Sequence, residues 1–372
     1  MGDARRGRFR RWTLVLVGTA LLVGLPRAWA ARPVSATTRS PAEIVAAARG
    51  SRDVQFTGLA TSQGDLGLPD IPRLGSVAAL LGSTTRCRVW WASPATWRVA
   101  RLATGGETDT LADHGRLRVW DYETNQVVQV LGDTPVRLPR ADDLLPPQAV
   151  RRLLSELGPH DHLSALPARR VAGQVADGVR IRPVGEPSTI GRADVYVERR
   201  SGLPVLVDLV PRGADHPALR SWFDELSLRR PADRAVRPPI TVWARHETSV
   251  LPDLAAQIDT FARAPLPATL GALPRSRGVV GLGGTATYGT GLARVAVLPL
   301  SDQLGQEAVG AARSAGGLDL AVDASVAVLV RSPLLTLAVV RTVHDGRPWS
   351  YLVSGTVTAS VMTHAVDDLV RP

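Results

Sequence analysis

Residues 86–102 read RCRVWWASPATWRVARL, and this stretch decides the fold. Apolar and polar side chains alternate on both sides of Ser93-Pro94, which is typical of two half-buried strands joined by a turn. Similar runs continue to residue 228, mostly without crossover helices, so the sequence predicts antiparallel pairing. The predicted strands are Val54–Ala60, Arg86–Trp91, Trp97–Leu102, Leu117–Tyr122, Gln126–Leu131, Val171–Val175, Val179–Arg182, Ala193–Glu198, Pro204–Val210 and Trp222–Leu228.

Helical patterns interrupt these strands. Ser40-Pro41-Ala42-Glu43 is a capping box with Pro at the first helical position, so a helix begins there and ends at Gly50. Short helical spacing also occurs over Ser76–Leu81, and Ala141–Leu157 places its leucines on one helical face. The predicted fold class is therefore α+β, mainly antiparallel β.

A stretch rich in Pro and Arg, Pro231–Pro239, marks a boundary in the chain. We predict a linker over 31–39, an N-terminal domain over 40–230, a second linker over 231–252 and a smaller C-terminal α+β domain over 253–372. The elements predicted in the last domain are helices Asp253–Phe261, Gln303–Arg313 and Thr358–Leu369, strands Ala293–Leu300 and Trp349–Val353, and two strands on either side of Arg331-Ser332-Pro333.

Residues 1–30 have the three parts of a secretory signal peptide. These are an Arg-rich start, an apolar run over Trp12–Leu25 and the small-x-small site Ala28-Trp29-Ala30. The apolar run is shorter than the roughly 20 residues that a membrane-spanning helix needs. We predict a Sec-type signal peptide that is cleaved after Ala30, with a retained N-terminal anchor as the alternative. In both cases the remaining chain lies outside the cytoplasm.

Composition limits the function classes. The formal charge is +10, but several arginines precede residue 31, and no later basic block is interleaved with aromatic residues, so nucleic acid is not a predicted partner. Cys87 is the single cysteine, which excludes an intramolecular disulfide. An exported domain without disulfides must be held together by its apolar core, and 45% hydrophobic residues allow this. The strand pattern predicts that Cys87 is buried.

Motifs that carry chemistry are missing or incomplete. The sequence has no G-x-S-x-G nucleophile turn, and the glycine-rich run 281–291 lacks the Gly-Lys-Ser/Thr ending of a phosphate loop. His160 and His162 have no third metal ligand assigned by spacing. We therefore predict no enzymatic activity, no metal and no cofactor.

Aromatic residues cluster on three successive predicted strands. Because side chains alternate across a strand, Trp90 and Trp91 must point to opposite faces. Core packing is one interpretation of these rings, and contact with a ligand is the other, since a curved antiparallel sheet with an apolar face can enclose an acyl chain or an apolar peptide. The predicted ligand-cavity residues are Trp90, Trp91, Trp97, Trp120 and Tyr122.

Several of these strands resemble the LolA-like superfamily in their order and spacing. The resemblance covers about residues 40–230. It rests on Phe56-Thr57-Gly58-Leu59-Ala60, Arg88-Val89-Trp90-Trp91, Trp97-Arg98-Val99, Arg170-Val171-Ala172-Gly173, Gly178-Val179-Arg180-Ile181, Arg200-Ser201-Gly202-Leu203-Pro204-Val205-Leu206-Val207 and Trp222-Phe223-Asp224-Glu225-Leu226. With its second domain, the chain resembles the RseB/MucB-type regulators within that superfamily.

This resemblance implies an unclosed β-barrel wrapped over helices, with an apolar cavity. It also implies a non-enzymatic sensor that binds a lipid or lipoprotein-like ligand and the extracytoplasmic part of a membrane-bound anti-sigma factor. Association with the membrane surface is a further expectation. The alternatives are a lipid or lipoprotein carrier with no signalling role, an exported enzyme with an unrecognised site, and a purely structural wall-associated domain.

Overall fold

The computed structural model describes residues 34–67, 75–131, 139–185, 187–250, 266–276, 286–323, 325–344 and 346–371. In this part of the chain, twelve strands form one sheet and eight form a second sheet. The predicted signal peptide and the predicted helix Asp253–Phe261 lie outside the described residues.

The first sheet is built from long, mostly antiparallel strands. Its order is β12-β6-β5-β4-β3-β2-β1-β11-β10-β9-β8-β7, so β12 and β7 are the edges among the described strands, and these strands do not form a closed barrel. This confirms the predicted fold class. Its strands are β1 Phe56–Gly64, β2 Thr84–Ser93, β3 Thr96–Leu102, β4 Glu107–Asp113, β5 Arg116–Asp121, β6 Gln126–Leu131, β7 His162–Val171, β8 Gln174–Arg182, β9 Ile190–Glu198, β10 Pro204–Pro211, β11 Leu219–Ser227 and β12 Arg245–Val250.

Three helices lie against this sheet: α1 Pro41–Gly50, α2 Gly75–Gly82 and α3 Pro146–Ser155. We call the face that α1 and α3 cover the concave face, and the opposite face the convex face. The predicted capping box is present, because Ser40 Oγ accepts from the Glu43 N–H while the Glu43 carboxylate accepts from the Ser40 N–H. Helix α1 contacts β7–β9, and α3 contacts β10 and β11. Their buried apolar faces and the sheet form one core.

The second sheet has helices on both faces. Helix α5, Asp302–Ser314, buries Ala308, Val309 and Ala312 against one face, and α6, Ala359–Val370, packs against the other. The strand order is β13-β14-β15-β16-β20-β19-β18-β17. These strands are β13 Thr269–Leu270, β14 Leu273–Ser276, β15 Ala286–Thr290, β16 Ala293–Leu300, β17 Leu318–Leu320, β18 Val326–Arg331, β19 Thr336–His344 and β20 Arg347–Gly355.

A joint of backbone and side-chain hydrogen bonds connects the two sheets. The Thr189 N–H donates to the Thr356 carbonyl at 3.0 Å, and the Thr358 N–H donates to the Pro187 carbonyl at 2.8 Å. Between them, Ser188 forms a β-bridge with Val357. Leu292 and Leu334 of the second unit are buried in the core of the first. The two units therefore share one apolar core at the joint.

Two predicted elements need correction. Strand Val171–Val175 is wrong, because Ala172 and Gly173 have φ values of 47° and 78° and form the turn between β7 and β8. The helix predicted over 141–157 is a 3-10 helix, Ala141–Leu144, followed by α3. Pro146 and Pro147 cause the break, since proline restricts the residue before it and lacks an N–H. Residues 231–252 contain α4, Asp233–Val236, as well as β12; the domain boundaries stay a prediction.

Candidate ligand-binding face of the first sheet

A row of aromatic rings crosses the concave face of the first sheet. The pairing register places Phe56 opposite Trp91 and Trp91 opposite Trp97. The rings of Phe56 and Trp91 are 5.9 Å apart between centroids, and those of Trp91 and Trp97 are 5.4 Å apart, both stacked. Trp91 is 3% exposed and Trp97 6% exposed. These three rings therefore belong to the packed core of the first unit.

An apolar shelf continues the row toward the sheet edge. Trp97 pairs with Ala112, which pairs with Leu117, so these side chains share the concave face. The same face of β5 and β6 carries the apolar shelf, defined as Leu117, Val119, Val128 and Val130. All four shelf residues are only partly buried. Among the described residues, helices α1 and α3 pack mainly against other strands, and the shelf residues keep part of their surface accessible to solvent.

Arg151 of α3 lies above the buried end of the aromatic row. Its guanidinium carbon is 5.9 Å from the centroid of the Trp91 ring. The guanidinium donates to Gln148 Oε1 and to the backbone carbonyls of Ser51 and Arg52. Burial lowers the pKa of Arg151. This arginine ties α3 to the turn after α1 and closes that end of the concave face.

The convex face holds the other predicted ligand residues. Trp90 lies beneath Arg98, whose guanidinium carbon is 4.4 Å from the ring centroid. Trp90 also lines a shallow groove of about 220 Å³ between β1, β2 and β11. Trp120 stacks on Tyr122 with a centroid distance of 4.1 Å. The five predicted residues therefore divide into Trp91 and Trp97 on the concave face and three residues on the convex face. Their role as a ligand cavity stays a prediction.

A buried carboxylate lies beside the convex aromatic residues. The Asp109 side chain is fully buried, and its Oδ2 accepts from Arg98 Nε at 2.8 Å and from the Tyr122 hydroxyl at 3.0 Å. Asp109 Oδ1 is buried and has no hydrogen-bond partner in the part of the chain that the structure describes. Burial raises the pKa of Asp109 to about 6, although Arg98 and the Tyr122 hydroxyl act in the opposite direction. The sequence pattern did not predict this group because it did not predict β4; the available signal was Leu111, which lies two residues after Asp109 and on the same face of the strand.

A strap covers this part of the convex face. We define the strap as residues 232–250, which include α4 and β12. Arg98 Nη1 donates to the Ala235 carbonyl at 3.4 Å, and Arg237 pairs with Asp113 at 2.9 Å. Further along, Ile240 and Ala244 pack against Trp120, and β12 pairs in parallel with β6. The strap explains why Trp120 is buried although it does not face the main core.

In the part of the chain that the structure describes, no group of three or more His, Cys, Asp or Glu residues is placed to hold a metal ion. Within the same residues, no helix combines the length and the apolar character needed to cross a membrane.

Comparison with known proteins gives matches among solved structures. No protein-family model matches the chain, and no curated protein matches it. A chain of the Pseudomonas aeruginosa MucA/MucB complex is similar, with 18% identity and a TM-score of 0.48 over 89% of this chain and 98% of that chain. MucB in complex with MucA(peri) is similar at 17% identity and a TM-score of 0.47, over 89% and 97% of the two chains.

A LolA superfamily protein from Nitrosomonas europaea is similar over 54% of this chain and 98% of that chain, with 12% identity and a TM-score of 0.23.

Proposed function

We propose that the protein is a non-enzymatic extracytoplasmic binding protein that takes an apolar, lipid or lipoprotein-like ligand on the concave face of the first sheet. The observation that carries this proposal is the apolar shelf, where Leu117, Val119, Val128 and Val130 stay partly exposed on a face that continues into Trp97 and Trp91. Covering apolar surface contributes about 25 cal/mol per Å², so an acyl chain on this shelf would bind favourably.

We further propose that ligand binding regulates contact with the extracytoplasmic part of a membrane-bound anti-sigma factor. The support is the resemblance of the sequence motifs to RseB/MucB-type regulators, together with the signal peptide predicted over 1–30. A ligand changes partner affinity only through its different affinity for the free and partner-bound states. The joint offers a physical route for this effect, because Leu334 of the second unit packs in the same core cluster as Val150 of α3, and Arg151 of α3 lies over Trp91.

Native mass spectrometry of the mature protein, purified from its own envelope fraction, tests the ligand. We expect a co-purifying lipid or acylated peptide in the wild type. Replacing Val119 by Glu is expected to reduce its occupancy at least tenfold, because the new carboxylate would have to lose water beneath the acyl chain. The matched control is Arg118→Gln, which lies on the same strand but faces the convex side. Equal occupancy in wild type and Val119→Glu would contradict the proposed shelf.

Partner binding distinguishes regulator from carrier. The probe is the purified extracytoplasmic segment of a membrane-bound anti-sigma factor encoded in the same genome, titrated against lipid-loaded and delipidated full-length protein. A regulator changes affinity for this segment at least fivefold between the two forms. A carrier binds lipid and passes it to acceptor vesicles, with no affinity for the segment.

A further inference from the structure

Among the described residues, no donor hydrogen-bonds to Asp109 Oδ1, although the Asp109 side chain is fully buried. Burying an ionised carboxylate is costly unless its oxygens are hydrogen-bonded. The strap lies over the same face and reaches the partner of Asp109, because Arg98 Nη1 donates to the Ala235 carbonyl at 3.4 Å. Moving the strap away would allow water to reach Arg98 and the carboxylate beside it.

From this geometry we infer that Asp109 makes strap closure depend on pH, with the closed strap favoured when the carboxylate is protonated and loosened when it is ionised. The direction follows from linkage. Burial holds the pKa of Asp109 at about 6 in the closed form, against 3.8 for an Asp in water, so the closed form binds the proton more tightly than an open, hydrated form does. Acid therefore stabilises the closed strap, and raising the pH through 6 weakens it.

Titratable and charged groups surround Asp109 on β3, β4, β5 and the strap. Arg98 faces it from β3, Glu107 from its own strand β4, and the Tyr122 hydroxyl from the end of β5. On the strap, Asp233 and Arg234 of α4 are exposed, and Arg237 is paired with Asp113. The Arg237 hydrogen bond lowers the pKa of Asp113, so that carboxylate stays ionised between pH 5 and pH 7.5. The neighbouring rings of Trp90 and Trp120 on the convex face are uncharged.

Hydrogen exchange of the strap tests this inference on the full-length protein. Protection factors are corrected for the pH dependence of intrinsic amide exchange. Those of residues 232–241 are expected to fall about tenfold between pH 5 and pH 7.5. This follows from an Asp109 pKa of about 6 with the strap closed and about 4 with it open. Asp109→Asn is expected to remove this loss. His114 and His246 remain in that variant, so the difference between the two proteins isolates Asp109.

Two further variants keep the test decisive if Asp109→Asn folds poorly. Tyr122→Phe removes a hydroxyl that lowers the pKa of Asp109, so the loss of protection should exceed tenfold. Arg237→Ala removes the ion pair with Asp113 and should reduce protection equally at both pH values. Constant protection in the wild type, or the same tenfold loss in Asp109→Asn, would overturn the inference.

Discussion

Replacing Leu334 by Asp is expected to lower the free energy of unfolding by at least about 4 kcal/mol. Leu334 lies in the turn between β18 and β19 of the second unit, yet it is 4% exposed and packs in the core of the first unit. A carboxylate there would be buried among apolar side chains with no partner among them. Because the core is shared, both units should lose stability together.

Urea unfolding followed by circular dichroism and by tryptophan fluorescence measures this effect. In the wild type we expect the two signals to change together, since the joint couples the sheets through the Thr189–Thr356 and Thr358–Pro187 backbone bonds. The matched control is Leu318→Asp, at a residue that is 52% exposed on β17. That change should stay within about 0.5 kcal/mol. Two separate wild-type transitions, or an equally small loss in Leu334→Asp, would show that the units are independent.

Two glycines of α5 are expected to respond in opposite directions to the same substitution. A Cβ at Gly305 would overlap the Ser350 side chain on β20, whereas a Cβ at Gly310 meets nothing within 4 Å. Gly305→Ala should therefore cost about 1–3 kcal/mol through overpacking. Gly310→Ala should stabilise the protein by about 1 kcal/mol, because Ala favours helix more than Gly does.

Thermal and chemical unfolding of the two alanine variants gives this comparison directly. Both substitutions exchange Gly for Ala, so the gain in helix propensity is the same in each. The difference between their free energies of unfolding, about 3 kcal/mol, therefore reports the packing of α5 on β20. Ser350→Gly should recover part of the loss in Gly305→Ala, since it removes the obstructing side chain. Similar effects at Gly305 and Gly310 would mean that α5 does not approach β20 as closely as described.

Strand alternation predicted much of the first sheet, and its failures have physical causes. It placed Trp90 and Trp91 on opposite faces, as the structure does. It missed β7, where Pro167 lies within a break in register on an edge strand, a position at which proline costs no ladder hydrogen bond. It also missed β4, whose side chains include two threonines and three acidic residues over Glu107–Asp113. A buried Asp does not mark an apolar strand face in the sequence, so alternation could not identify this strand.

The candidate site could be predicted only in part from the sequence. Whether a strand face is covered by another part of the chain depends on the tertiary structure. Periodicity indicates that Trp120 has one preferred face, but it cannot show that the strap covers that face from a distant part of the chain. The same limit applies to the shelf, since Val119 and Val128 have the sequence pattern of core residues. They remain partly exposed because the helices pack elsewhere on the sheet.

Cys87 gives the protein a built-in reporter of its own unfolding. The thiol is buried beneath the concave face, and burial raises its pKa to about 12, so its reactive thiolate form is scarce in the folded chain. Thiol-directed labels should therefore modify the folded protein very slowly and the unfolded protein quickly. Since the chain has no second cysteine, single probe cysteines can be introduced on the strap or the shelf and labelled selectively without removing the native one.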